Sequence, residues 1–216
     1  MEFIVALCRL LANELRLRVH FTVAETPDIT VNELADKLKI DPSKASDHVR
    51  LLADFGVLQT RPSGRFVHLC IRPGETVKNA MARGLNELLL KTWEKANPTP
   101  AHVWDWLGLG SQPPAYTWDD LAAKIMSFLT AYTHLRRLLL IRYLATHGPT
   151  PLTQLREAIQ MSENAAYRQL DKLRRRGLLE VVRVEGCVAW RLVKSPQPPF
   201  QRRLHELVTD ALLAKR

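Results

Sequence analysis

The sequence predicts a mainly α-helical protein in which one unit, several helices closed by a small β-hairpin, occurs twice. When the sequence is shifted by 121 residues, two blocks align without a gap and their hydrophobic positions coincide. In each block, apolar residues recur at helical spacing and are followed by a short alternating run. A glycine ends the last helix before that run in both blocks, Gly56 in the first and Gly177 in the second.

Composition limits the class of protein before any motif is considered. The chain has 216 residues, of which 46% are hydrophobic and 25% charged, enough to bury the cores of two small domains. Three widely spaced cysteines exclude a disulfide scaffold and fit a reducing compartment. No apolar run approaches the roughly 18 residues of a membrane span, and Phe3–Cys8 is too short for a signal peptide. We therefore expect a soluble, cytoplasmic protein.

The helices of the first block are predicted from apolar spacing and from their capping residues. They are expected at Phe3–Leu11, Arg16–Ala24, Val31–Leu38 and Pro42–Asp54. Thr30 and Glu33 have the spacing of a capping box, and Asp41 before Pro42 is typical of a helix start. Two strands, Val57–Thr60 and Phe66–Ile71, are expected to form a hairpin around a turn at Pro62-Ser63-Gly64.

The second block has the same order of elements. They are predicted at Leu135–Thr146, Leu152–Ile159, Ser162–Arg176, Leu178–Val184 and Val188–Val193. A further helix follows each hairpin, at Thr76–Lys95 and at Phe200–Leu213. Two helices joined by a short turn, followed by a hairpin, form the winged helix-turn-helix plan. The expected fold is therefore a tandem of two winged helix-turn-helix repeats with two small β wings.

The segment between the blocks has a different composition. Residues 97–118 contain no Lys or Arg and are rich in Pro and Gly, so we interpret them as a connection between domains at 1–96 and 119–216. Aromatic side chains are concentrated in and near this connection: Trp93, Trp104, Trp106, Tyr116 and Trp118. They are expected to pack the connection onto the core, and the alternative is that they close a ligand pocket between the repeats.

The most specific motif of the first block lies in its fourth helix. It reads Ser43-Lys44-Ala45-Ser46-Asp47-His48-Val49-Arg50-Leu51-Leu52, followed by Phe55-Gly56-Val57-Leu58. With Leu11–Val19 and Val31–Ala35, this string resembles the ArsR-type winged-helix transcriptional regulators over about the first third of the chain. The resemblance implies DNA binding, and a homodimer built through the first and last helices in members with one repeat. The second block is similar to a more diverged winged helix.

The excess positive charge lies entirely in the second block. Residues 1–75 and 76–133 each have net charge 0, whereas residues 134–216 carry 16 basic and 7 acidic side chains, net +9. The fourth helix of the first block with its cap is net −1, and Ser162–Arg176 is net +3. Such a region is the usual electrostatic footprint of nucleic-acid binding, although a merely solvated basic face is the alternative.

The candidate DNA-contacting residues follow from the helix-turn-helix plan. The second helix of each turn motif contributes Ser43, Lys44, Ser46, Asp47, His48 and Arg50 in the first repeat, and Ser162, Asn164, Tyr167, Arg168, Lys172, Arg174 and Arg175 in the second. The wings contribute Arg61, Arg65, Arg183 and Arg191. Asn164 and Arg168 are the best candidates for reading base edges, because amide and guanidinium groups bind them bidentately. The alternative for the Arg174–Arg176 cluster is a structural role, in which its positive charges stabilise the C-terminal end of the helix through the helix dipole.

These observations predict a regulator that binds double-stranded DNA sequence-selectively, with the second repeat anchoring on phosphates and the first making more selective contacts. The alternative is a protein–protein adaptor built from tandem winged helices. An intramolecular pseudo-dimer is the simplest arrangement, and a homodimer remains open. No cofactor or metal site is expected, because neither Cys pairs nor spaced His ligands occur in the relevant helices. The sequence contains no phosphate-binding loop, no HExxH motif and no GxSxG motif, so we do not expect an enzyme.

Overall fold

A computed structural model describes residues 1–71, 79–96, 101–110 and 117–214. The first repeat comprises α1 (Glu2–Leu11), α2 (Glu14–Glu25), α3 (Val31–Leu38), α4 (Pro42–Asp54), β1 (Gln59–Ser63), β2 (Phe66–Cys70) and α5 (Ala80–Ala96). A short helix follows, α6 (Ala101–Leu107). The second repeat comprises α7 (Trp118–Leu129), a 3-10 turn (Thr130–Tyr132), α8 (Leu135–His147), α9 (Leu152–Ala158), α10 (Glu163–Arg175), β3 (Leu179–Val184), β4 (Cys187–Leu192) and α11 (Pro199–Leu213). The fold is mainly helical, with two antiparallel hairpins, as predicted.

The internal repeat predicted from the sequence recurs in the backbone. Asp41 and Ser162, which are 121 residues apart, are the N-caps of α4 and α10. Lys39 and Gln160, at the same separation, both have a left-handed backbone with φ of 53° before these caps. Two segments with different sequences therefore make the same sharp turn between the two helices of their turn motifs.

Local hydrogen bonds explain why the first turn motif folds where it does. The Thr30 hydroxyl accepts from the backbone N–H of Glu33 at 3.3 Å, and the Glu33 carboxylate accepts from the backbone N–H of Thr30 at 2.8 Å. The bonds that the Glu33 carboxylate accepts, from the Thr30 backbone N–H and from the Thr30 hydroxyl, lower the pKa of Glu33 because they stabilise its charged form. Asp41 accepts from the backbone N–H of Ser43 at 2.8 Å. The predicted capping box and the predicted Asp cap are both confirmed.

The first wing differs in detail from the prediction. Pro62 lies within β1, where it pairs with Val67, whereas the sequence predicted it in the turn. The turn is formed by Gly64 and Arg65 between the last pair of the hairpin, and Gly64 has φ of 57°, which favours glycine. A proline is tolerated because, within the described residues, β1 pairs with β2 alone and its other edge is unpaired. Val67 is 37% exposed, whereas Leu69 on the same strand is buried.

The segment interpreted as a connection contains regular structure. Val103, Trp106 and Leu107 are buried at helical spacing on α6, and the Trp106 indole N–H donates to the Thr92 hydroxyl at 2.9 Å. Trp118 opens α7 and so belongs to the second repeat. The segment interpreted as a connection therefore contains a short amphipathic helix that packs onto the core, which its proline- and glycine-rich composition did not indicate. Pro98, Pro100, Pro113, Pro114 and Tyr116, and the expected start of α5 at Thr76, lie outside the described residues.

The two repeats pack against each other through equivalent elements, which is the arrangement of a pseudo-dimer. α1 contacts α7 and the 3-10 turn, and α5 packs along α11. The crossing of α5 and α11 is close: a Cβ added at Gly84 would lie 2.4 Å from a side-chain carbon of Leu207. One continuous hydrophobic core extends through both repeats. α1 and α5 of the first repeat and α7 and α11 of the second therefore contribute to the contact between the repeats.

Candidate nucleic-acid interface

The helix α10 presents a polar stripe to solvent. Asn164, Arg168 and Lys172 lie four residues apart, so they share one helical face, and all three are exposed. The opposite face holds the helix on the core through Ala166, Leu170 and Leu173. Among the described residues, neither Arg168 nor Lys172 forms an ion pair, so both cations are available to an external anion. The Ser162 hydroxyl is engaged in capping, since it accepts from the Ala165 backbone N–H at 3.4 Å.

The arginine cluster at the end of α10 divides into two roles. Arg174 and Arg175 are exposed and share Asp171, with N–O distances of 3.0 and 2.6 Å. The hydrogen bond from Arg174 lowers the pKa of the nearly buried Asp171 carboxyl. Arg176 is turned inward and donates to the Thr130 hydroxyl at 3.2 Å. Two guanidinium groups therefore face solvent with one carboxylate between them, while the third joins α10 to the 3-10 turn.

The helix α4 presents fewer free charges than α10. Ser43, Lys44 and Asp47 are exposed, but Asp47 is paired with Arg50 at 2.8 Å across one turn of the helix. The Ser46 hydroxyl donates to the backbone carbonyl of Pro42, four residues earlier, at 2.9 Å. Lys44 is thus the cation of this helix that faces solvent without an ion pair among the described residues.

His48 occupies a different position from its exposed neighbours. Its ring is half-buried, and the Nδ1 atom is buried with no hydrogen-bond partner among the described residues. Burial lowers the pKa of His48, and the nearby Arg16 lowers it further, so the ring is neutral at pH 7. His48 therefore flanks the exposed face of α4 and supplies no charge to it.

The wing arginines are unequally available. Arg61 pairs with Asp28 at 3.2 Å, and Arg191 pairs with Glu180 across the second hairpin at 2.8 Å. Arg65 lies over the Phe66 ring at 5.0 Å. Arg183 is exposed on β3 and forms no ion pair within the described part of the chain.

An aromatic side chain stands between α10 and the second wing. Tyr167 is 51% exposed and contacts the Trp190 ring edge-on, with ring centroids 6.1 Å apart. This contact joins the outer face of α10 to β4. Arg183 lies two residues after Val181, the pairing partner of Trp190, so it is on the same face of the hairpin as this contact, whereas Arg191 is on the opposite face.

Sequence reasoning missed a second group of cations near α10. Arg9 of α1 donates to the Thr133 carbonyl at 2.8 Å, which places it beside the start of α8 with its two arginines, Arg136 and Arg137. Burial lowers the pKa of His134 at the same helix start, and Arg137, Arg136, Arg9 and Lys172 lower it further. Only the fold brings these residues together, because Arg9 and Thr133 are 124 positions apart.

A cleft of about 200 Å³ lies between the repeats, where α2 and α3 of the first repeat meet α7 of the second. Phe21 and the 39% exposed Trp118 stack in it with centroids 5.2 Å apart, while Arg18 and Lys37 stand at its rim. Both cations have carboxylate partners, Asp119 at 3.5 Å and Glu25 at 3.7 Å. Of the aromatic residues assigned to the connection, Trp106 is core and Trp118 lines this cleft.

No group of three or more His, Cys, Asp or Glu in the described parts of the chain is arranged to hold a metal ion. None of the helices within the described ranges is long and apolar enough to cross a bilayer.

Comparison with known families matches both turn motifs. Residues 13–59 match a family described as winged helix-turn-helix DNA-binding, and residues 137–182 match one described as helix-turn-helix domain. The first match runs from the cap of α2 to the start of β1, and the second from α8 into β3. Neither the curated proteins nor the solved structures contain a match to the chain. The chain therefore carries two helix-turn-helix segments in tandem, and the first is similar to the winged, DNA-binding kind.

Proposed function

We propose that this chain is a transcriptional regulator that binds a double-stranded DNA site sequence-selectively through its two fused winged-helix units. The observation that carries the proposal is the exposed stripe of α10, in which Asn164, Arg168 and Lys172 face solvent on the second helix of a turn motif. That helix is the one that enters the major groove in helix-turn-helix proteins. The ArsR-type resemblance of α4 and the cytoplasmic location belong to the same proposal.

The two repeats have different tasks in this proposal. The second repeat anchors the protein on phosphates, because α10 carries free cations and the net charge of +9 lies in its part of the chain. The first repeat contributes fewer and more selective contacts, since the Asp47–Arg50 pair at 2.8 Å leaves little net charge on the exposed face of α4. A carboxylate near the groove repels phosphates but accepts a hydrogen bond from a cytosine amino group.

The operator should lack two-fold symmetry, because the exposed residues of α4 and α10 differ. A monomer supplies both recognition helices, so a homodimer is unnecessary for contacting two half-sites. Light scattering after size exclusion tests this part. A species of the chain mass, 24.7 kDa, supports the pseudo-dimer, and a species of twice that mass contradicts it.

A salt titration of duplex binding tests the function itself. Counterion release predicts that log K falls linearly with log salt, with a slope of about 0.9 per phosphate contact. Replacing Arg168 with Ala should weaken binding by about 5- to 150-fold, since a good base contact contributes about 1–3 kcal/mol. Arg203→Ala is the matched control, because Arg203 is an exposed arginine of the same repeat that pairs with Glu206 at 3.0 Å on α11. Absence of duplex binding at low salt would refute the proposal and favour the adaptor.

A further inference from the structure

A group of basic residues lies where the two repeats meet. We name it the seam cluster, and it consists of Arg9, His134, Arg136, Arg137, Lys172 and Arg176. Arg9 belongs to α1 of the first repeat, and the others belong to α8, its N-cap and α10 with its C-cap. Hydrogen bonds hold the group together, since Arg9 contacts the Thr133 carbonyl and Arg137 donates to the Thr133 hydroxyl at 3.2 Å.

The positive charge of the seam cluster is not neutralised within the described protein. None of its five Arg and Lys side chains forms an ion pair with a carboxylate in the described ranges, in contrast to Arg174 and Arg175. Arg137 is only 8% exposed, and its Nε atom is buried without a hydrogen-bond partner among the described residues. Its other contacts are to a hydroxyl, and a buried charge without an opposite charge is costly. An external anion would remove much of that cost.

Some cations of the seam cluster have a structural role, and the others have none among the described residues. Arg176 reaches the Thr130 hydroxyl, and Arg16, the counterpart of Arg137 in the first repeat, donates to the Leu10 carbonyl at the end of α1. Cations are favourable at such helix ends. Arg136 and Lys172 are exposed and have no side-chain bond of this kind among the described residues. These two side chains therefore face solvent without an ion pair or a structural hydrogen bond among the described residues.

The seam cluster continues the exposed stripe of α10. Lys172 is the third member of the series that begins at Asn164 and Arg168, so the stripe leads along the helix toward the cluster. Arg9 then extends the positive charge onto the first repeat, whose own recognition helix is α4. The cluster therefore joins the recognition helix of the second repeat to the first repeat.

We propose that the seam cluster binds backbone phosphates of the duplex segment between the two half-sites. This inference rests on the proposed function and adds a contact region that the helix-turn-helix plan does not contain. Arg136, Lys172 and Arg9 make the contacts, because all three are exposed. Arg137 remains buried and contributes its positive field. Contacts of this kind position the protein on the duplex without reading its sequence.

The test compares the salt dependence of duplex binding in the full chain and in the double variant Arg9→Gln/Arg136→Gln. Loss of two phosphate contacts should reduce the slope of log K against log salt by about 1.8. Between 50 and 200 mM salt, the affinity of the variant should then fall by about 12-fold less than that of the unmodified chain. The double variant Arg9→Lys/Arg136→Lys, which keeps both charges, should restore most of the slope, and Arg203→Gln should leave it unchanged.

The outcomes separate this inference from the proposed function. If Arg168→Ala weakens binding while Arg9→Gln/Arg136→Gln keeps the full slope, the seam cluster has no role in DNA binding and only the inference falls. If the unmodified chain binds no duplex at low salt, the proposed function falls as well. Inorganic phosphate tests whether the seam cluster binds a small free anion instead of DNA. If phosphate raises the Tm of the unmodified chain more than that of the Gln variant and the DNA slope is unchanged, the site binds free phosphate, which overturns the DNA assignment.

Discussion

Mild acid should destabilise this protein through two buried histidines. His20 is fully buried between α2 and α5, where its Nε2 lies 3.3 Å from the Asn86 side-chain oxygen. His205 is buried on α11, with its Nδ1 3.1 Å from the Tyr132 hydroxyl. Burial lowers the pKa of each ring from 6.5 to about 4, because the charged form loses its hydration.

The direction of the effect follows from proton linkage. Between pH 6.5 and 4, the unfolded chain binds protons on these rings that the folded chain does not bind, so the free energy of unfolding falls as the pH falls. The stability is fully present above pH 6.5. Each histidine should cost at most about 1.4 kcal/mol per pH unit in this window, which amounts to about 2 kcal/mol per ring between pH 6.5 and pH 5.

Urea unfolding at pH 7 and pH 5 measures this loss. The variant His20→Leu removes one ring, so the difference in unfolding free energy between the two pH values should shrink by about 2 kcal/mol, whatever the variant's stability at pH 7. His147→Leu is the control, since His147 is exposed. An equal pH dependence in the unmodified chain and in His20→Leu would refute the assignment of a buried, neutral ring.

Three further predictions concern packing, charge and thiol reactivity. Gly84→Leu should lower the free energy of unfolding by about 1–3 kcal/mol in a denaturant titration, because even a Cβ at this position would lie 2.4 Å from a side chain of α11. Asp47→Ala should tighten binding to a random duplex several-fold in a fluorescence titration, because it frees Arg50 and removes a carboxylate that repels phosphates. With a thiol reagent, exposed Cys187 should react in the folded protein, whereas Cys8, whose pKa burial raises to about 12, should react only after unfolding.

Each of these three has an outcome that would contradict its reasoning. Unchanged stability of Gly84→Leu would mean that α5 and α11 are not in close contact. Weaker random-duplex binding by Asp47→Ala would show that this carboxylate supports binding. Equal labelling rates of Cys8 and Cys187 in the folded chain would show that α1 does not bury its thiol.

The elements that the sequence predicted correctly depend on local interactions. The start of α3 follows from Thr30 and Glu33, and the start of α4 from Asp41 before Pro42, all within a few residues of each other. Because each element of the repeat occurs twice in the sequence, its pattern could be recognised in two segments, which made the architecture predictable. The helix α6 was missed because prolines and glycines around it masked its short apolar pattern.

The electrostatic state of the candidate site was harder to predict than the fold. The pairing of Asp47 with Arg50 has helical i, i+3 spacing and could have been anticipated from α4 alone. Arg61 meets Asp28 across 33 residues, so only the folded chain reveals that this wing cation is paired. Cys187 is exposed at the tip of the second hairpin, where β4 begins, although its apolar thiol in a strand gave no indication of this exposure.

Hydroxyl-radical footprinting on a duplex selected from a random pool tests the central claim most directly. One molecule of the chain should protect two patches of one duplex about one helical turn apart, because α4 and α10 of the same molecule enter successive major grooves. A single protected patch for each bound molecule would contradict the claim that both repeats of one chain address the same DNA site.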